Sequence, residues 1–158
     1  MVASLIGAMF APRPELVAQE LLRVCIPSGT IAKGNWTATG FVGKMFKTIA
    51  GFISPSNMPS PLLWGDEQVV RQRLGAGVCE LTLTRKYHTF DYPFSPSGVV
   101  DFFRLYYGPV NRAFASLDEA GQKSLHQELE SLWSSHNRAH GDLTIVEAEY
   151  LQVVATRA

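Results

Sequence analysis

The chain is poor in cysteine, in net charge and in long apolar runs, and each shortage removes a class of protein. Its 158 residues include two cysteines, Cys25 and Cys79, far apart in sequence. No CxxC pair and no Cys/His spacing for zinc accompanies them, so neither a disulfide framework nor a zinc site is indicated. Each sits in an apolar run and reads as a buried, reduced thiol. The 14 basic residues balance the 14 acidic ones, giving a formal net charge of zero. A generic nucleic-acid binder needs a basic excess to displace counterions from phosphates, so that class is excluded. The same neutrality leaves little repulsion between copies and favours association. No GxSxG elbow and no P-loop is present, which removes support for hydrolase and nucleotidase chemistry. His136 and His140 have the i, i+4 spacing of a metal pair, but no HExxH glutamate joins them and Gly141 ends the helix there. They read as a solvated helix end, and no metal is expected. Met1–Ala11 is apolar yet has no basic leader, is too short to span a bilayer and runs into Pro12-Arg13-Pro14. A cytoplasmic protein with no membrane partner is the expectation. Asn35-Trp36-Thr37 matches a glycosylation sequon, which is discounted because nothing points to secretion.

What is present is a folded α/β chain. Apolar residues make up 46% and charged residues 18% of the sequence, a balance that excludes disorder. The length suits a single domain over residues 1–158, burying roughly two-thirds of its unfolded surface. Val2–Met9 is a short apolar run closed by prolines, the pattern of a fully buried strand. From Pro14, residues Leu16, Val17, Leu21, Leu22 and Val24 recur at helical spacing, and Pro27-Ser28-Gly29 turns the chain. Thr30–Asn35 reads as a second strand, so the opening is a strand–helix–strand crossover. Gly40–Phe52 is a helix with Phe41, Met45, Ile49 and Phe52 on one face. A Pro/Ser-rich loop follows over Ser54–Pro61, then a helix over Asp66–Leu74 capped by Asp66 or its neighbour. Val78–Tyr92 alternates and is rich in β-branched and aromatic residues, hence a strand. Val99–Ala115 is helical with an interruption at Gly108-Pro109, and Asp118 caps a helix running to about His136. A final strand occupies about Ile145–Ala155, its alternation clearest over Tyr150–Ala155.

Particular blocks carry a resemblance. They are Gly7-Ala8-Met9-Phe10-Ala11-Pro12, Glu20 to Gly29, Asn35-Trp36-Thr37 and Gly40 to Phe46. Late in the chain, Phe103 to Val110 and Glu149 to Arg157 follow the same pattern. Together they resemble class I S-adenosylmethionine-dependent methyltransferases of the type 11 group, in the carboxy-terminal half of that fold. The resemblance implies a partial Rossmann-like sheet with strand order 4-5-7-6, the last strand antiparallel, and a helical insert. It implies a cofactor wall at Gly7, Ala8, Met9 and Phe10, where small residues let a ligand approach. Asn35 and Trp36 would meet the small-molecule methyl acceptor, with Phe103, Tyr106 and Tyr107 covering its pocket; aromatics at that spacing also make plain core. No catalytic residue is assigned.

The sequence departs from the family at Ser28, which replaces a glycine of the usual turn, at Ala38-Thr39 after Trp36, and at Lys33 in a run normally apolar. It also lacks the glycine-rich turn and ribose-holding acidic residue of the family's first two strands. Losing two hydrogen bonds to charged groups weakens binding roughly 100- to 10,000-fold. Two functions follow as expectations. One is the acceptor-binding half of a methyltransferase, inactive as an isolated chain. The other is a non-catalytic small-molecule-binding or self-associating module that has lost the methyl-donor site. A strand without its usual neighbours presents an open edge. Val2–Met9, or the Leu16/Val17/Leu21/Leu22 helix face, is therefore the expected interface for a second copy or a complementing half.

Overall fold

The computed structural model describes residues 1–54 and 57–158. Four strands, β1 (Val2–Leu5), β2 (Thr30–Trp36), β3 (Val78–Tyr92) and β4 (Thr144–Arg157), form one sheet in the order β1-β2-β4-β3. β1 and β2 are parallel, with Val2 opposite Ile31 and Leu5 opposite Gly34. β4 runs antiparallel to β2, with Ile31 opposite Ala155 and Trp36 opposite Tyr150. This is the 4-5-7-6 order with a reversed seventh strand.

Among the described residues six α-helices accompany the sheet: α1 (Pro14–Val24), α2 (Phe41–Ala50), α3 (Glu67–Leu74), α4 (Pro96–Tyr106), α5 (Gly108–Ala115) and α6 (Glu119–His136). Their ends follow local chemistry. Asp66 accepts from the backbone N–H groups of Gln68 and Val69 and starts α3; Asp118 accepts from Gly121 and starts α6. Pro14 and Pro96 sit in first turns, where a missing N–H costs nothing. The Ser54–Pro61 loop expectation falls partly on residues 55–56, outside the described residues.

The chain packs as two compact units. The first comprises residues 1–40, 57–87 and 149–158. Its core joins Leu21 and Cys25 of α1 to Ile31 and Ala155 of the sheet, with Val2, Val17 and Leu81 packed around them. The second comprises residues 41–54 and 88–148. There Phe41 lies 4.4 Å from Trp133 and Phe103 5.2 Å from it, ring centre to ring centre. Val99, Val110, Phe114, Leu125 and Leu129 are buried around them. These rings and aliphatic side chains hold α2, α4, α5 and α6 together through apolar burial.

Four sequence expectations need correction. The first strand ends at Leu5, not Met9: Ile6 flips to φ 65° and Gly7–Phe10 forms a 3₁₀ turn. That strand is also not fully buried, because it lies at the sheet edge and leaves Leu5 78% exposed. α2 stops at Ala50, so Phe52 lies in the turn beyond it. Cys79 is exposed rather than buried, since β3 is the other edge strand; Cys25 is buried, its thiol on the Thr30 carbonyl.

The departure at Ser28 has a backbone consequence. Ser28 takes φ 58° while its N–H bonds the Arg157 carbonyl. Gly29 beside it is held to glycine by packing, since a Cβ there would lie 2.7 Å from the Ile26 carbonyl oxygen. The left-handed region disfavours a serine by about 1 kcal/mol relative to glycine. Ser28→Gly therefore stabilises the chain by about 0.5–1 kcal/mol, measured as a shift in the urea midpoint at unchanged slope.

Candidate functional site

The carboxy-terminal ends of β1 and β2 lie side by side because the strands are parallel, and the Ile6 N–H continues the ladder to the Gly34 carbonyl at 2.9 Å. After Ile6 the chain curls into the Gly7–Phe10 turn, fastened where the Ala8 N–H donates to Ser4 Oγ at 3.0 Å. Met9 is buried beneath the turn, whereas Gly7 and Phe10 are exposed. Gly7 has no positive φ, and a Cβ added there would meet nothing within 4 Å. Neither backbone strain nor packing within the chain requires glycine at this place. The space in front of it is open.

Beyond β2 the site is closed by a second turn, Pro61–Gly65, packed against β2 and against the Gly7–Phe10 turn. The approach is tight, since a Cβ at Gly65 would lie 2.7 Å from Thr37 Cα. Asn35 is fully buried, and neither its Oδ1 nor its Nδ2 finds a hydrogen-bond partner among the described residues. Trp36 is 8% exposed and meets Tyr150 edge-to-face at 6.3 Å, so its ring is part of the packed strand end.

Immediately after Trp36 stands a polar hub that the sequence did not disclose. Glu149 Oε1 accepts from Thr37 Oγ1 at 2.7 Å, from Arg85 Nη1 at 3.0 Å and from Thr39 Oγ1 at 3.4 Å; Oε2 accepts from the Tyr87 hydroxyl at 3.3 Å. Arg85 also reaches Glu67 at 3.2 Å. Burial pushes the Glu149 carboxyl up, but the Thr37 hydroxyl, the Arg85 charge and the Tyr87 hydroxyl outweigh it and hold the carboxyl below its ordinary value. Glu149 is thus a fixed anion that anchors the loop after β2, and not a base poised near neutrality. The alternation of Arg85 and Tyr87 placed them on one face of β3. Their partner lies more than 60 residues away, beyond any local pattern.

The three aromatics expected over an acceptor lie in the second unit. Phe103 is 6% exposed and Tyr107 is half-buried, 5.2 Å from it between ring centres. The Tyr107 hydroxyl is buried without a partner among the described residues, and burial pushes its pKa up to about 12. Tyr106 instead is 73% exposed, touching Phe102 at 4.9 Å. Phe103 and Tyr107 thus share a packed side that Tyr106 leaves.

Among the described residues no group of three or more His, Cys, Asp or Glu side chains could hold a metal. His136 is engaged at both ring nitrogens, by Lys44 Nζ at 2.9 Å and by the Leu132 carbonyl at 3.0 Å, and His140 is exposed. No helix among the described residues is long and apolar enough to cross a membrane.

No protein-family model matches the chain. Uncharacterized protein Rv1405c of Mycobacterium tuberculosis (strain H37Rv) is 40% identical over 124 residues, which span 75% of this chain and 44% of the relative. Uncharacterized protein Rv1403c of the same strain is 36% identical over 121 residues, with the same coverages. The chain thus spans less than half the length of the curated relatives it matches. Among solved structures, the "putative methyltransferase" of Bacillus halodurans C-125 superimposes over 98% of this chain and 68% of its own, with TM-score 0.54 at 15% identity. Together with the β1-β2-β4-β3 order and the reversed β4, this shows that the chain has the Rossmann-like α/β fold of class I S-adenosylmethionine-dependent methyltransferases.

Proposed function

We propose that the chain is the acceptor-side half of an S-adenosylmethionine-dependent methyltransferase and that the 158 residues alone transfer methyl groups little or not at all. The observation that supports this most is the Gly7–Phe10 turn at the carboxy-terminal end of β1, where open space faces a glycine that nothing in the chain demands. Gly7 and Ala8 would flank the cofactor on one side, with Met9 packing beneath the turn. Asn35 and Trp36, at the end of the neighbouring strand, would stand toward the acceptor. The bound cofactor supplies the methyl group as a sulfonium. The residues present fit one wall of that ligand and lack the glycine-rich turn and the ribose-holding carboxylate of the other.

The proposal extends to a partner. β1 is an uncharged edge strand with Leu5 78% exposed, and on and just after α1 Leu16, Val24 and Ile26 are 42%, 51% and 70% exposed. An open groove of about 360 Å³ lies against α1, lined by Leu16, Val17, Leu21 and Val24 among others. A second copy, or a complementing donor half, is the occupant proposed for this surface, with a small molecule as methyl acceptor.

Calorimetric titration with S-adenosylmethionine and S-adenosylhomocysteine tests the proposal. The chain alone is expected to bind both no better than submillimolar, weakened roughly 100- to 10,000-fold from a micromolar site. Adding a polypeptide that supplies the strand–Gly-rich turn–helix unit is expected to bring both into the micromolar range. If the combined halves gave no heat either, the non-catalytic binding module would be the better account.

A further inference from the structure

Lys33 lies in the middle of β2 and is 1% exposed. Its Nζ stands 3.0 Å from the centre of the Trp64 ring, and the Arg73 guanidinium lies 4.6 Å from the centre of the same ring. The strand neighbours offer no counter-charge: Val153 is opposite Lys33 on β4 and Ser4 is opposite it on β1. Ser4 Oγ is already taken by the Ala8 N–H. Two residues along the same face comes Asn35, opposite Leu151 and fully buried. Among the described residues, the only carboxylate paired with either cation is Glu15, 3.7 Å from Arg73 Nε with its side chain 70% exposed.

Five buried atoms of this cluster have no hydrogen-bond partner among the described residues: Lys33 Nζ, Asn35 Nδ2, Asn35 Oδ1, Trp64 Nε1 and Arg73 Nη1. Four of the five are donors. A buried polar group left unpaired is costly, and a buried cation more so. A set this rich in donors and positive charge, and this poor in acceptors, is complementary to an anion. We propose that Lys33, Asn35, Trp64 and Arg73 form an internal receptor for a small inorganic anion of the size of chloride. Lys33, Asn35 and Trp64 are each at most 1% exposed, which favours a small ion over a carboxylate-bearing metabolite. The site shares Asn35 with the acceptor side proposed above, and its test reads no methyl transfer. It requires Lys33 in its ammonium form, so occupancy falls as pH rises past neutrality, where burial and the Arg73 charge favour the free amine.

Thermal melts in sodium chloride and in sodium gluconate of equal ionic strength, slightly below neutral pH, provide the test. The wild type is expected to melt several degrees higher in chloride, with a saturable dependence on its concentration, and to broaden the chloride NMR line. Lys33→Met is expected to remain folded and to lose both effects, and Asn35→Leu to weaken them. Superimposed wild-type melts in the two salts would mean that water alone fills the site and would overturn the proposal. An equal chloride effect in Lys33→Met would do the same.

Discussion

In chloride-free buffer at about pH 6, Lys33→Met raises the stability of the chain by on the order of 4 kcal/mol. Burial first, and the Arg73 charge second, lower the Lys33 pKa from 10.5 to about 7. The Trp64 face offsets part of the desolvation and supplies no hydrogen bond. Below about pH 7 the folded chain must carry the ammonium in its interior. The unfolded chain carries it in water at no such cost. Each unit of pKa difference corresponds to about 1.4 kcal/mol, and about three units separate the two states. Between about pH 7 and pH 10 the unfolded state binds the extra proton, so wild-type stability climbs with pH across that window. Methionine fills a similar volume without the charge, and replacing an unpaired buried charge by an apolar side chain is commonly stabilising. Denaturant titrations of both proteins from about pH 6 to pH 10 should show a rising wild-type curve converging on a flat variant curve. Parallel curves would mean that Lys33 is solvated or paired.

The second large effect is on assembly. At micromolar concentration the chain is expected to scatter light as a dimer or larger species, and Leu5→Lys with Leu16→Glu to return it to a monomer. β1 presents one unpaired edge of backbone donors and acceptors with no charged residue along Val2–Leu5 to block pairing. Covering Leu5, Leu16, Val24 and Ile26 contributes about 1.5–3 kcal/mol for each side chain fully buried. A lysine on the edge and a glutamate on the helix act on the two parts of that surface separately. The single variants therefore reveal whether strand pairing or α1 packing carries the contact. The opposite edge, β3, already carries Arg85 and Lys86, which disfavours pairing there. A monomeric wild type would contradict the assigned surface.

Much of the fold was legible because its signals are local. The alternation and β-branching of Val78–Tyr92 matched β3 to the residue, and Asp66 and Asp118 cap the helices expected of them. The first strand was overextended because the apolar run VASLIGAM continues through a change of backbone that hydrophobicity does not register. Ile6 turns left-handed while remaining half-buried. The last strand was placed at about Ile145–Ala155, and β4 extends one residue earlier and two later, from Thr144 to Arg157. Glu147 is held by Arg138 at 2.7 Å and Glu149 by the hub on Arg85 and Thr37. Partners of this kind are set by the folded chain and leave no local pattern in the sequence. At the candidate site, the resemblance named Gly7 and Asn35, and the structure places them at the ends of neighbouring strands. The Glu149 hub and the Trp64 ring over Lys33 joined residues too distant in sequence for any spacing rule. Lys33 alone stood out in advance, as a charge in an apolar run.

The proposed half methyl-donor site requires the turn after β1 to form one of its walls, and Gly7→Val tests that wall directly. A Cβ at Gly7 meets nothing within 4 Å, which predicts a folded variant with a melting temperature close to that of the wild type. In calorimetry with S-adenosylhomocysteine, on the chain combined with a donor-half polypeptide, wild type should bind at micromolar concentration and Gly7→Val at least tenfold more weakly. Equal affinity in the two, or micromolar binding by the wild-type chain without its complement, would contradict it.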